Sequence, residues 1–421
     1  MKHIIDIEKS QKYDVIVVGS GPAGISAAVN AGRNGAKTLL IESCGRVGGI
    51  STSGMMSHFT GRCESRLYHE ILDRAATKNC FYPELDKKYI DSELLTLTYI
   101  EMLEEADVDI LLYTAFCDVV MDGKTIKGII CHNKNGFCRY DSEVIVDASG
   151  DGDVAYKSGA QYFKGRETDG KMQPATLMFK VGGVDLEHAV FPRSFETLVP
   201  TEKGELQALA RKTLPYPAGH VLLYRSTLPG IVTCNMTNAI EIDGTSAEDL
   251  TRAELICRKQ IPTIVDFLRQ YAPGYENCYL IGSASLIGIR ETRHFKGVKT
   301  ITEQEIAAAA QHDDAVVFGA HFNFDVHNIS GAGLDKTGCQ QHFKQRIGYT
   351  IPYGCMVPEE IDGLLLSGRN ISGTHMAHSN FRAMPICIGI GAAAGAAAAI
   401  AAKGKRTVRS ITAEEINNLL K

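Results

Sequence analysis

The 421-residue sequence has no tryptophan, no CxxC pair, no long basic run, no internal repeat and no low-complexity linker. Twelve scattered cysteines without a CxxC pair argue against an iron–sulfur cluster, a structural zinc site or a dithiol redox pair. Free thiols in a reducing cytosol are the simpler reading. A net charge of −5 without a basic stretch removes nucleic acid as an expected partner. Residues 1–12 are charged and lack an apolar signal core, so the cytoplasm is the expected compartment. One long uncharged run occurs, residues 383–402 between Arg382 and Lys403. Its length would admit a membrane span. It is mostly Ala and Gly, however, and begins near Pro385. A helix buried on all sides of a tightly packed α/β domain is expected, and no transmembrane segment.

The chain suits two domains, or one domain with a large insertion. Its 44% apolar fraction is ordinary for a globular protein. Residues 14–18 form an apolar run rich in β-branched residues, enough for one buried strand. Gly19-Ser20-Gly21-Pro22-Ala23-Gly24 follows at once. Small and apolar residues then continue at helical spacing to Arg33, and a second apolar run over 38–41 ends in Glu42. Strand, GxGxxG turn, helix, strand and acid, in that order, describe a dinucleotide site. Gly19 permits the tight turn, Gly21 lets backbone approach a pyrophosphate, and Gly24 lets the helix lie close to the strand. The helix N-terminus offers free N–H groups and a positive dipole end to phosphates. Glu42, 18 residues after Gly24, stands where an acid bonds a ribose hydroxyl.

Further along, residues 64–78 and 92–106 read as helices. Short strands are expected over 109–114, 116–121, 125–132, 137–140 and 143–147. Asp122-Gly123 and Asn135-Gly136 signal hairpin turns, and Cys131 and Cys138 bracket the second, more simply as two ordinary strand thiols than as a facing pair. Residues 245–271 are strongly helical, with a break expected near Pro262. Residues 275–300 and 314–329 read as strands with loops. Residues 364–369 read as a buried strand entering a turn, and Thr412 with Glu415 caps a short closing helix. The layout is a nucleotide-binding domain from residues 1–165 and 346–421, with a substrate or cap domain of residues 166–345 inserted.

Three features favour FAD over NAD. Gly48-Gly49, with Arg46 before it, lets backbone pass close to a long dinucleotide. The strand end Asp147-Ala148-Ser149-Gly150-Asp151 returns beside the adenosine in such folds. Residues 362–369 lead toward a helix starting at Pro385, whose N-terminus would favour the negative charge that develops on a reduced flavin. Gly389, Gly391 and Gly395 permit close packing. No second GxGxxG unit with a preceding strand appears, so no dedicated NAD(P)H domain is expected.

On these motifs, and on GIRETR and H-x-x-H-x-x-x-R-x-M-P-x-C, the chain resembles the FAD-dependent oxidoreductases of the glutathione-reductase-type Rossmann superfamily, related to the fumarate reductase and succinate dehydrogenase flavoproteins. The resemblance covers nearly the whole chain. It implies an α/β fold, a glutathione-reductase-type FAD/NAD(P)-binding Rossmann domain with an inserted α+β substrate domain. It implies that Gly19, Gly21, Pro22, Ala23, Gly24, Glu42, Ser43, Arg46, Gly48 and Gly49 hold the ADP half of FAD. It places Phe116 and Ala148, Ser149 and Gly150 near the adenine, Gly368 and Arg369 near the pyrophosphate or ribityl chain, and Pro385, Ile386 and Cys387 at the pyrimidine edge. Two positions depart from relatives, which often carry Gln or Glu at Gly391 and Arg at His294.

A flavin performs the redox chemistry, so the protein must position substrate and move protons. Arg382 precedes the flavin-facing helix, where binding a carboxylate, stabilising reduced flavin or donating a proton competes evenly with a structural pairing to an acid. His375 and His378, three apart, are candidates for acid–base groups near neutral pH, although a structural role is the commoner one for either alone. Arg290 and Arg293 flank Glu291, where an ion-pair knot competes with a substrate site. Asp325 and His327 are further candidates, as are His58, Cys44 and Cys387 near the cofactor; covalent attachment through His58 is the minor reading. Histidine spacing supports no metal site. The leading expectation is hydride transfer between a small organic substrate and flavin N5, with C=C/CH–CH chemistry implied by the fumarate reductase resemblance. The alternatives are a flavin-dependent monooxygenase using external NAD(P)H and a flavoprotein subunit of an electron-transfer complex. An electron donor or acceptor is required but not specified, and a homo-oligomer is left open.

Overall fold

Val15, Ile16, Val17 and Val18 carry no polar side chain and are buried on both faces, so the strand that holds them must have neighbours on each side. In the computed structural model, which describes residues 7–79, 81–82, 84–333 and 347–421, it does. The strands β1 (Glu8–Val18), β2 (Thr38–Ile41), β3 (Val108–Leu111), β4 (Ala115–Asp122), β5 (Thr125–Asn133) and β6 (Gly136–Asp147) order as β3-β2-β1-β6-β5-β4. Strand Leu364–Leu366 also pairs with β6. The β3-β2-β1-β6 pairings and the β6 pairing with Leu364–Leu366 are parallel, while β4-β5-β6 form an antiparallel meander. This is a Rossmann-type α/β fold.

The expected strands 137–140 and 143–147 are one strand. Asp141 and Ser142 continue it by pairing with Lys12 and Tyr13. Its first half pairs with β5, and its last three residues pair with Leu364–Leu366. Cys131 and Cys138 face each other in the hairpin register, both as free thiols.

Helix α1 (Pro22–Arg33) follows the glycine turn; α2 (Arg66–Thr77) and α3 (Ser92–Glu105) start where Ser65 and Asp91 cap free N–H groups. The Ala/Gly run forms helix Met384–Gly404. Among the described residues it alone is long and apolar enough to cross a membrane, and 94% of its most apolar window is buried in the protein. A methyl added at Gly391 would lie 2.1 Å from the Ala23 carbonyl oxygen, and one at Gly395 would lie 2.1 Å from that of Ala27. Contacts spaced by four on both helices mean that they run parallel, backbone against backbone. Glycine at 391 is thus a packing requirement in this chain.

A second core holds Leu177, Phe179, Val181, Val232, Ile264 and Leu268. It packs a four-stranded antiparallel sheet, in the order Leu223–Arg225, Val232–Cys234, Phe179–Gly182 and Tyr279–Ser283, against helices Leu206–Thr213 and Ala247–Tyr271. The latter is a single helix despite Pro262. Pro262 lies on its exposed face, while Cys257, Ile261, Ile264, Val265 and Leu268 hold the other face in the core. That packing outweighs an interior proline's cost of about 3 kcal/mol. This core draws on residues 175–287, whereas Phe295, Ile301, Val317 and Phe324 join the first core. Packing therefore divides the chain more narrowly than residues 166–345, whose upper boundary lies outside the described residues.

Gly395→Ala should lower unfolding free energy by about 1–3 kcal/mol, because the methyl meets backbone that cannot rotate away. Gly282→Ala, where the methyl meets nothing within 4 Å, should change it by less than about 0.5 kcal/mol. Urea denaturation of both variants checks the pair.

Candidate active site

A cavity of about 660 Å³ opens at the carboxyl ends of β1, β2, β6 and strand Leu364–Leu366, where ligands bind in open α/β sheets. One end is the glycine turn. Gly19 adopts φ +94°, and a methyl there would lie 2.5 Å from the Ala148 carbonyl oxygen. A methyl at Gly24 would lie 1.9 Å from the Gly19 oxygen, so Gly24 brings α1 against the turn rather than lining the cavity. Above Gly21 there is open space within 4 Å. Gly21 caps α1 without a side-chain hydrogen bond, leaving first-turn N–H groups free toward the cavity. The Glu42 carboxylate accepts hydrogen bonds from the Ser20 N–H (3.0 Å), the Ser20 hydroxyl (2.6 Å) and the Cys44 N–H (2.9 Å). Arg46 bonds Thr96 (3.0 Å) and pairs with Glu93. Arg369 pairs with Asp151 (2.9 Å).

The other end is lined by Arg193, Arg290, Arg382, Asp325, His327, His58 and Tyr224. Arg382 donates to the Asp325 carboxylate (2.9 Å) and carbonyl (2.7 Å). Burial alone would raise Asp325, but His327, Arg382 and Arg290 together hold it well below the usual carboxylate range. Arg290 donates to the Pro174 carbonyl (2.6 Å) and Thr176 hydroxyl (2.9 Å). Burial, and then Arg382, lower it to about 10. The half-buried His58 packs against Tyr224 (4.8 Å between ring centroids) and is lowered to about 4 by burial and Arg193. Burial raises Tyr224, which stays a phenol. Burial also pushes the Cys387 thiol up to about 12.

His375 and His378 do not reach this cavity. Both are buried beside it with Glu291 and His294. Glu291 Oε1 accepts from His375 Nδ1 (2.6 Å) and His294 Nε2 (2.9 Å), and Oε2 accepts from the Gln173 N–H (3.2 Å). Burial opposes the charge of Glu291, but His294 and His375 lower it to about 2. Burial, and then His294, hold His378 well below the usual histidine range. Because His294 lies here, its departure from Arg removes no charge from the cavity. Arg293 does not line the cavity either; it pairs with Asp153 (2.9 Å), which does.

A larger recess, about 860 Å³, lies among α1, α2 and helix Ala413–Leu420. It contains no glycine-turn residue, and its Arg33 and Glu70 bond each other (2.7 Å).

Open space over Gly21, free N–H groups beside it and the Glu42 acid fit the phosphates and ribose of a dinucleotide. Residues 14–420 match the family of FAD-dependent oxidoreductases. The chain belongs to that family. It is an oxidoreductase, and its cofactor is FAD. A digeranylgeranylglycerophospholipid reductase of Methanococcus vannielii is 58% identical over 38 residues, 9% of this chain and 10% of that protein. Another, of Methanococcoides burtonii, is 24% identical over 202 residues, 42% of this chain and 47% of that protein. The chain thus spans less than half the length of these relatives. A geranylgeranyl bacteriochlorophyll reductase-like structure from Thermoplasma acidophilum has a TM-score of 0.51 at 13% identity, over 98% of this chain and 83% of that one. The flavin-dependent brominase Bmp2 has a TM-score of 0.50 at 12% identity, over 97% and 83%. These likenesses show the fold.

Of the FAD contacts expected in this oxidoreductase, Gly19, Gly21, Pro22, Ala23, Glu42, Ser43, Arg46, Gly49, Phe116, Ala148, Ser149, Gly150, Gly368, Arg369 and Cys387 line the cavity. Gly24, Gly48, Pro385 and Ile386 stand behind it. Gly48 (φ +105°) donates its N–H to the Ser20 carbonyl (2.8 Å), a turn-forming role. Pro385 and Ile386 are buried in the first turn of helix Met384–Gly404. Sequence reasoning missed Arg193 and Tyr224, which arrive from the inserted region with no local motif.

Glu42→Ala should weaken FAD binding about 10–100-fold, the worth of one charge-assisted hydrogen bond. Flavin fluorescence quenching on titrating apoprotein measures this. Stability should also fall in acid. His220 is fully buried, donates Nε2–H to the Asn235 carbonyl (3.1 Å) and is lowered to about 3 by burial; His327 is lowered to about 4 in the same way. Their folded values lie below the unfolded value, so their contribution is complete above about pH 6.5 and is lost as pH falls toward 4. For His220 the loss at pH 4.5 is about 2–3 kcal/mol. Thermal melts at pH 7 and 4.5 should show the drop, reduced in His220→Asn.

Proposed function

We propose that the enzyme moves a hydride between a small organic anion and FAD, in the cytoplasm. The observation that carries this reading is the charge of the substrate end. Arg193, Arg290 and Arg382 line that end, and among the described residues Asp325 is the one carboxylate beside them. Arg382 is matched by Asp325, but among the described residues Arg193 and Arg290 have no ion pair. Two unmatched guanidiniums in a sheltered pocket favour a carboxylate, held by charge-assisted hydrogen bonds. The ten described cysteines are all unpaired, which suits a reducing compartment.

When bound, FAD supplies the two-electron chemistry at N5. Glu42 and the free N–H groups of α1 would hold its ADP half. The start of helix Met384–Gly404 would face its far end, since Ala383, Met384 and Cys387 line the cavity. Arg290 and Arg193 orient the substrate anion. Asp325 keeps Arg382 in place, and His327 lies 3.4 Å from the same carboxylate. His58 is neutral above about pH 4 and so can accept or return a proton at its ring nitrogen. Tyr224 stays protonated and donates.

Anaerobic bleaching near 450 nm tests the reading. Small carboxylates should bleach the oxidised enzyme, or reoxidise the reduced enzyme, where matched amides do not. Arg193→Ala should raise KM for the active carboxylate about 10–100-fold, from a lost interaction of about 1.5–3 kcal/mol. Equal response to amides and carboxylates would sink the anion assignment. Rapid bleaching by NADPH without organic substrate would favour a monooxygenase instead.

A further inference from the structure

Glu291, His294 and His378 bring one donor atom each to within 4.8 Å of one another. All three side chains are buried, at 1%, 0% and 1% exposure. Nδ1 of His378 has no hydrogen-bond partner, although it is shut off from water. Unpartnered buried imidazole nitrogens are costly unless something accepts their lone pairs. The two rings meet edge to face at 4.6 Å. Two imidazoles and a carboxylate are a donor set for zinc-class ions.

We propose that Glu291, His294 and His378 hold one divalent transition-metal ion of the zinc class, tying the GIRETR segment to helix His375–Phe381 beside the cavity. Donors to one tetrahedral ion, each at about 2.0–2.1 Å, lie about 3.3 Å apart. Glu291 Oε1 and His294 Nε2 are already 2.9 Å apart; binding the ion through Nε2 replaces their hydrogen bond, moves the His294 proton to Nδ1 and draws the donors, now within 4.8 Å of one another, inward by up to about 1.5 Å. Surrounding groups already orient the ligands. His375 Nδ1 bonds the same Glu291 oxygen (2.6 Å), the Gln173 N–H bonds the other (3.2 Å), and Phe163 stacks on the His294 ring at 5.0 Å. The nearby cations Arg369 and Arg382 are neutralised by Asp151 and Asp325, each at 2.9 Å. The ion would instead balance Glu291, which has no Arg or Lys partner among the described residues. This assignment does not depend on the substrate reading.

The experiment is elemental analysis of full-length, FAD-loaded, untagged protein purified without chelator and then incubated with Zn²⁺ and desalted. On the order of one ion per chain is expected. His378→Asn should hold less than about a tenth of that while keeping its flavin absorbance. X-ray absorption at the metal edge should show nitrogen and oxygen neighbours with imidazole scattering and no sulfur. Wild-type protein without metal, His378→Asn with as much as wild type, or sulfur in the ligand shell would overturn the proposal. If His378→Asn does not fold, chelator dialysis of wild type decides. Metal removal should lower the melting temperature by about 5 °C or more, and an unchanged value overturns the site.

Discussion

Two helices that touch through their backbones set the geometry of this enzyme. Ala23 and Ala27 of α1 present carbonyl oxygens where Gly391 and Gly395 have only hydrogens. Side chains at either glycine would push the helices apart by roughly the width of a methyl group. Because the helices run parallel, both N-termini end at the same cavity wall. One brings free N–H groups to Gly21, the other brings Ala383, Met384 and Cys387. Both positive dipole ends thus face one cavity. The apolar length of Met384–Gly404, which by composition alone would suit a bilayer, is consumed by this packing.

Charge is arranged around that frame with a clear division. At the nucleotide end cations are already matched, Arg46 by Glu93 and Arg369 by Asp151. At the substrate end two guanidiniums have no carboxylate partner among the described residues. Burial, and then the neighbouring Arg382, make Arg290 hold its proton less tightly than usual. Beside the cavity, Glu291 bonds His294 of its own segment and His375 of a distant one, so a buried polar cluster helps brace the wall of the site.

Much of this was legible in the chain. The glycine turn, Glu42 and the strand ends are local features whose spacing carries their meaning, and the structure brings them to one edge. The hairpin turns at Gly123 and Gly136 follow for the same reason, both at positive φ. Reading failed where tertiary packing decides. Pro262 signals a break, but the buried face of its helix overrides it. His375 and His378 share a spacing that puts them on one face, yet spacing does not say whether that face meets a cavity or a core. Arg193 and Tyr224 reach the cavity from a region without motif, and no periodicity marks them.

The sequence by itself determined the cofactor-binding unit, because a GxGxxG turn between a buried strand and a small-residue helix acts within about thirty residues and needs little else. It also determined that a long Ala/Gly helix must pack closely. Only the tertiary structure decided which charged side chains meet. Arg193, Arg290, Asp325 and Arg382 lie up to 189 residues apart, as do the partners of Glu291 over shorter spans. Electrostatic and ligand-forming contacts act over a few ångströms in space, a distance the order of residues does not encode.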